Sequence, residues 1–264
     1  MNLVVLKNEM KRSFFNKGMV LSLLMGIGII LWHQVQYVWN PAHELNNGVC
    51  MESVYYNWIG GSCAPMQSFL FYFTIPLIAV LPCGCTYFDD LKSGYIFQMS
   101  TRGVKKDFLL SKFISVFLSG GFVIGVSLTL SFLMTAMKFP MLLPEPIMGL
   151  GPDMKSFDIN LYYQYPFLHT VLFIFIDALF AGGLATISLV ASFWMNHKFI
   201  IAIAPFICYY FLFSLDQLLG GNDYSPNYFL IPGFSPHLII EFVLGVFMMV
   251  IVFTYFYSKG KKVE

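Results

Sequence analysis

Residues 89–112 read DDLKSGYIFQMSTRGVKKDFLLSK, the one long charged segment in a very apolar chain. The segment carries Lys92, Arg102, Lys105, Lys106 and Lys112, and an apolar run flanks it on each side. A basic connector of this kind cannot cross a bilayer cheaply, so it marks the cytoplasmic face of a membrane. It is also longer than a turn between two spans requires. A cytoplasmic partner, if there is one, should meet the chain here.

The surrounding composition agrees with a membrane setting. Of the 264 residues, 58% are hydrophobic and 11% charged, with a mean hydropathy of +0.71. A soluble domain carries about 25% charged residues. Crossing the hydrocarbon core takes about 20 mostly apolar residues in a helix. Six stretches satisfy this, at 19–39, 68–88, 108–137, 166–195, 199–219 and 237–257. Their runs are continuous rather than alternating, which favours helices over barrel strands, and a lone helix satisfies its own backbone in lipid. The third and fourth are longer than a span needs and should tilt or project. The expected fold is an all-α integral membrane protein, a single transmembrane domain over 1–264.

Charge sets the orientation. Of the fifteen basic residues, all but Lys138 and Lys155 fall before the first span, in the 89–112 segment, after the fourth span or after the sixth. By the positive-inside rule both termini are cytoplasmic, which six spans permit. The first span is too long for a signal-peptide core and is followed by Trp32, His33, Gln34 and Gln36 rather than small residues, so it reads as an uncleaved helix. Ahead of it, within 1–18, Leu3, Leu6, Met10 and Phe14 recur at helical spacing beside Lys7, Lys11 and Arg12. That pattern suits an amphipathic helix lying on the cytoplasmic membrane surface, either as a simple anchor or as an elbow beside a partner.

The outer loop 40–67 holds no basic residue but contains Glu44, Glu52, Tyr55, Tyr56 and Trp58. It also contains Cys50 and Cys63, an extracytoplasmic pair that permits a disulfide without requiring one. Cys83 and Cys85 form a CxC without nearby ligand partners, which reads as two packed, reduced thiols rather than a metal site. The loop 220–236 has an apolar core, YFLIPGF, suited to dipping into the outer leaflet.

Ionisable residues inside spans are functional candidates by default. Asp177 lies near the middle of the fourth span, Asp216 near the outer end of the fifth, and Glu241 about one turn into the sixth. Each could line a substrate path or a gate. The plainer alternative for Asp177 is a carboxyl bonded to a Ser, Thr or Tyr of a neighbouring helix; Asp216, Glu241, His33 and His169 lie close enough to an interface to be wetted. Gly120, Gly121 and Gly125 in the third span, and Ala178, Ala181, Gly182, Gly183 and Ala185 in the fourth, make small-residue faces that serve packing within a subunit or dimerisation equally well. Pro76 and Pro82 should kink the second span.

No GxxxxGK[ST], HExxH, Cys/His metal cluster, GxSxG, arginine-rich sensor helix or TVGYG filter occurs. An enzymatic reading has no residues to rest on.

The order of parts resembles the transmembrane subunit of an ABC-2 type ABC transporter. The resemblance covers the whole chain and is most specific at DDLKSGYIFQMSTRGVKKDFLLSKF. There Asp89 and Asp90, Ser93-Gly94, Thr101-Arg102-Gly103 and Lys112 correspond to the family's acidic residue, Ser-Gly, small/Arg-Gly turn and helix-opening Lys, with Asp where relatives usually have Glu. The resemblance implies a permease in the cell membrane of a bacterium, without a cofactor of its own. ATP and Mg would be bound by a separate ATPase docking on a coupling helix in 89–106, with Asp89, Asp90, Leu91, Lys92, Tyr95, Met99 and Arg102 at the contact. On their own terms Leu91, Tyr95 and Met99 fall at i, i+4 and i+8 and would give one apolar face for a partner groove. A second permease subunit would complete the path; no nucleic acid is expected. The acidic, aromatic outer loops would suit export of a cationic amphipathic substrate such as an antimicrobial peptide, among the peptides, lipids and drugs that the family carries. Two alternatives stand beside this: a membrane anchor or sensor of an ATPase complex that moves nothing, and a secondary transporter using Asp177, for which no inverted repeat is visible.

Overall fold

The computed structural model describes residues 2–40, 53–61, 66–101, 105–144, 159–218, 229–232 and 238–262, and no strand occurs among them. Helix α1 (Leu3–Phe14) opens with the Asn2 side chain accepting from the Val4 N–H. It does not run into the first span. Asn16 is extended, its side chain accepts from the Met19 N–H at 2.7 Å, and it caps α2 (Lys17–His33). A cap at this place satisfies a backbone donor that an unbroken helix would have bonded to its own carbonyls, so the chain turns a corner here. A π-helical turn, Gln34–Val38, extends α2.

The short helix α3 (Val54–Asn57) precedes α4 (Met66–Val80), and α5 (Thr86–Lys92) and α6 (Tyr95–Thr101) follow. The long α7 (Lys105–Ala136) comes next, then short α8 (Ile159–Gln164), α9 (Pro166–Ala191), α10 (Lys198–Leu218) and α11 (Leu238–Lys262). Five helices are long and apolar enough to cross a membrane: Lys17–Val38, Lys105–Ala136, Pro166–Ala191, Lys198–Leu218 and Ile239–Lys262. These are the marks of a membrane protein.

The second expected span is corrected. In place of one helix over 68–88, α4 stops at Val80, the chain turns through 81–85, and helix resumes at Thr86. Fifteen residues reach about 22 Å at the helical rise, short of the roughly 30 Å of hydrocarbon. Pro82 is the cause: it has no N–H to give a helix and disfavours helical geometry at Leu81. Pro76 is carried inside α4.

Helices α7 and α9 form the centre, and α10 and α11 are the most exposed of the five long helices. The two central helices meet along their small residues. A Cβ on Gly121 would lie 2.5 Å from the Ala178 carbonyl oxygen, one on Gly182 2.5 Å from that of Phe117, and one on Gly120 2.8 Å from the Ala185 Cβ. The small-residue faces are therefore used for packing within the chain. At the end of the bundle away from α1, Trp58 packs edge-on to Phe132 and the Ser68 hydroxyl donates to the Ile59 carbonyl. Phe229, Leu230 and Ile231 are buried, with Phe229 against Phe180.

Candidate functional site

Four charges meet where α1, α5 and the first turns of α7 come together. Glu9 and Arg12 stand three residues apart on one face of α1, Asp90 comes from α5, and Lys112 from α7. The Lys112 ammonium donates to Asp90 Oδ2 at 2.7 Å and to Glu9 Oε2 at 3.0 Å. The Arg12 guanidinium donates from Nη2 to Asp90 Oδ1 at 2.6 Å and from Nη1 to Glu9 Oε1 at 2.8 Å. Lys112 is 0% exposed, Glu9 and Asp90 are also buried, and Arg12 reaches to the surface.

Two acids and two bases make the group neutral, and each acid contacts both bases. That closure is what permits burial, since an unpaired charge in such a place costs several kcal/mol. Burial works against the charge on Arg12, but the hydrogen bond to Asp90 and the fields of Glu9 and Asp90 outweigh it and raise its pKa above the ordinary value. The Tyr95 ring lies 5.3 Å beneath the guanidinium and packs on Phe108.

Neutral bonds fix the same junction. Ser13 and Cys83 share a hydrogen bond at 2.9 Å, and the Asn16 amide donates to the Pro82 carbonyl at 2.6 Å. The Ser22 hydroxyl donates to the Ile78 carbonyl at 2.6 Å. The proline turn thus leaves a carbonyl for the elbow to bind, the connector is tied to α1 and α7, and α4 is tied to α2.

The connector differs from the single helix expected of it. Gly94 has a φ of +73°, a left-handed conformation suited to glycine, and it divides the segment into α5 and α6. The expected face of Leu91, Tyr95 and Met99 therefore does not form one outward stripe; all three pack against the protein's own core. Exposed instead are Lys92, Ser93, Phe97 and Gln98, with Phe97 at 45%. Asp89 pairs with Lys198 at 2.7 Å on the surface, so the two adjacent acids serve different partners. Arg102 lies outside the described residues, as do Cys50 and Cys63.

A second buried polar group lies among α4, α9 and α10. Asp177 is fully buried, and the Tyr72 hydroxyl donates to its Oδ2 across 3.4 Å. The Tyr209 hydroxyl donates to the Tyr72 carbonyl at 3.3 Å. Asp177 Oδ1 has no hydrogen-bond partner among the described residues. Asp216 and Glu241 are buried near the end of α10 and the start of α11. His33 stacks on Tyr37, and His169 packs at a tilt against Phe173.

Among the described residues no group of three or more His, Cys, Asp or Glu side chains could hold a metal ion. Cys83 is a free thiol bonded to hydroxyls of Ser13 and Thr86. Comparison with protein-family models, curated proteins and solved structures gives no match. Glu9 is the member of the charge group that sequence reasoning passes over. Its signal is faint: it is the one acid in an otherwise basic amphipathic helix, three residues before Arg12.

Proposed function

We propose that the chain is the membrane subunit of an ATP-driven transporter, moved by a separate ATPase that binds ATP and Mg and docks on the 89–106 segment. The observation that carries this reading is the buried group of Glu9, Arg12, Asp90 and Lys112. A connector that only turned the chain around would need no such anchorage. Here a force on α5 passes to α7 and α1 through the two charge-assisted bonds of Asp90, to Lys112 and to Arg12, among the strongest noncovalent links available to side chains.

In this scheme α4, the proline turn and α5 together make the second of six spans, and both termini are cytoplasmic in the cell membrane of a bacterium. Lys92, Phe97 and Gln98, with the Asp89–Lys198 pair at their edge, face the ATPase, while Leu91, Tyr95 and Met99 support them from within. Arg102 belongs to the same contact. ATP-driven closure of two ATPases shifts the connector, and α7 carries the shift to α9 through their small-residue seam. A second subunit, identical or related, completes the path for an amphipathic peptide, lipid or drug-like substrate, with export as the direction.

The test is co-purification from the native membrane. An ATPase should accompany the wild-type chain, and Phe97→Asp should release it while leaving expression and membrane insertion unchanged. Absence of any ATPase from the wild-type complex, or an intact complex with Phe97→Asp, would sink the docking proposal. An ATPase whose activity responds to no amphipathic substrate would favour an anchor or sensor over a transporter.

A further inference from the structure

At the bundle's basic end, where the end of α9 passes the end of α11, a cavity of about 500 Å³ is lined by Phe193, Trp194, Lys259 and Lys262. Lys259 and Lys262 are three residues apart and share a face of α11. Neither has an ion-pair partner among the described residues, whereas Arg12, Lys112 and Lys198 all do. No carboxylate is among the described lining residues.

The rest of the lining is aromatic and held in place. Trp194 is 70% exposed, yet its indole N–H donates to the Tyr255 hydroxyl at 3.0 Å, which orients the ring. Phe193 packs on Tyr87 and on the fully buried Phe256, at 5.4 and 5.8 Å between ring centres. Two cations beside an aromatic floor match an amphiphile with a negative head better than a free anion. Alongside, α11 leaves Phe247, Val250 and Ile251 exposed, an apolar face on which acyl chains would run.

We infer that this cavity binds the headgroup of an anionic phospholipid. Basic pockets between membrane helices are suited to such headgroups, and exposed indoles favour the interfacial depth where the phosphates lie. Tyr87 belongs to α5, three residues before Asp90, so a lipid seated on Phe193 rests against the connector's own base. The inference does not depend on an ATPase and stands or falls by lipid binding alone.

The experiment uses the full chain purified in detergent and incubated with phosphatidylglycerol or phosphatidylcholine of the same acyl composition, with bound lipid counted by native mass spectrometry. Wild type should retain phosphatidylglycerol over phosphatidylcholine. Each lysine near an anionic headgroup contributes roughly fivefold in affinity, so Lys259→Gln/Lys262→Gln should lose about thirtyfold of that preference. Lys259→Arg/Lys262→Arg should keep it. The single Gln variants, each expected to lose about fivefold, decide the matter if the double variant does not purify. Equal retention of the two lipids by wild type, or an unchanged preference in the Gln variants, overturns the inference. So does displacement of phosphatidylglycerol by inorganic phosphate, which would make the cavity a site for free phosphate.

Discussion

Lys112 and Asp90 are joined by a 2.7 Å ion pair from which water is excluded, and the pair bonds the third expected span to the connector that precedes it. Removing one partner of a buried pair leaves an uncompensated charge, at a cost of about 3–5 kcal/mol. A domain is stable by only about 5–15 kcal/mol. Lys112→Met should therefore lower the thermal unfolding midpoint of the purified chain by many degrees. Asp90→Asn should do the same to a smaller extent, because Glu9 still faces Lys112. Combining Lys112→Met with Asp90→Leu should recover part of the loss, and a double-mutant cycle on unfolding reads the coupling. Strict additivity would show that the two side chains do not act together.

Much of the fold is legible in the sequence because the length of an apolar run leaves a helix few alternatives. The expected third, fourth, fifth and sixth spans fall within a few residues of α7, α9, α10 and α11. The second expected span is met by two helices, α4 and α5, and the interruption falls at Pro82, where a kink is expected, but it is a full break that hydropathy does not register. Leu81, Pro82, Cys83 and Cys85 keep the run apolar while Pro82 breaks the backbone. The charge group is half visible: Asp90 and Lys112 stand out in the basic connector, but Glu9 and Arg12 join them only when α1 folds back beneath α7. The apolar spacing of Leu91, Tyr95 and Met99 is real, but it reports the protein's own core because Gly94 turns the chain between them.

The connector's bend should be sensitive to residue type at one position. Gly94 occupies the left-handed region, where a Cβ is strained, so Gly94→Ala should cost about 1 kcal/mol even though, among the described residues, the added Cβ would meet only Phe97, at 3.8 Å. The measurement is thermal unfolding beside hydrogen exchange over residues 86–101. Faster exchange there with an unchanged bundle is expected; an unaffected connector would mean that α5 and α6 tolerate a straight junction.

The seam between α7 and α9 gives a paired prediction on neighbouring glycines. A methyl at Gly182 would lie 2.5 Å from the Phe117 carbonyl oxygen, whereas one at Gly183 meets nothing within 4 Å among the described residues. Gly182→Ala should force the helices apart and destabilise by roughly 1–3 kcal/mol, the cost of overpacking. Gly183→Ala should be neutral or stabilising by a few tenths, through better helix propensity. Unfolding of both variants in the same detergent settles the comparison, and equal effects would contradict the close approach.

Asp177 is tied to the bundle through one hydroxyl, so the partner should matter more than the carboxyl. Tyr72→Phe leaves Asp177 buried with neither oxygen bonded among the described residues, a state costing about 1–3 kcal/mol. Asp177→Leu removes the polar group and its need together and should be milder. The double variant Tyr72→Phe/Asp177→Leu should then be close to Asp177→Leu alone, since the lost hydroxyl no longer has a carboxyl to serve. Unfolding midpoints of the three variants read this directly. If Asp177→Leu proves the more damaging, the carboxyl contributes through Oδ1 to something other than Tyr72.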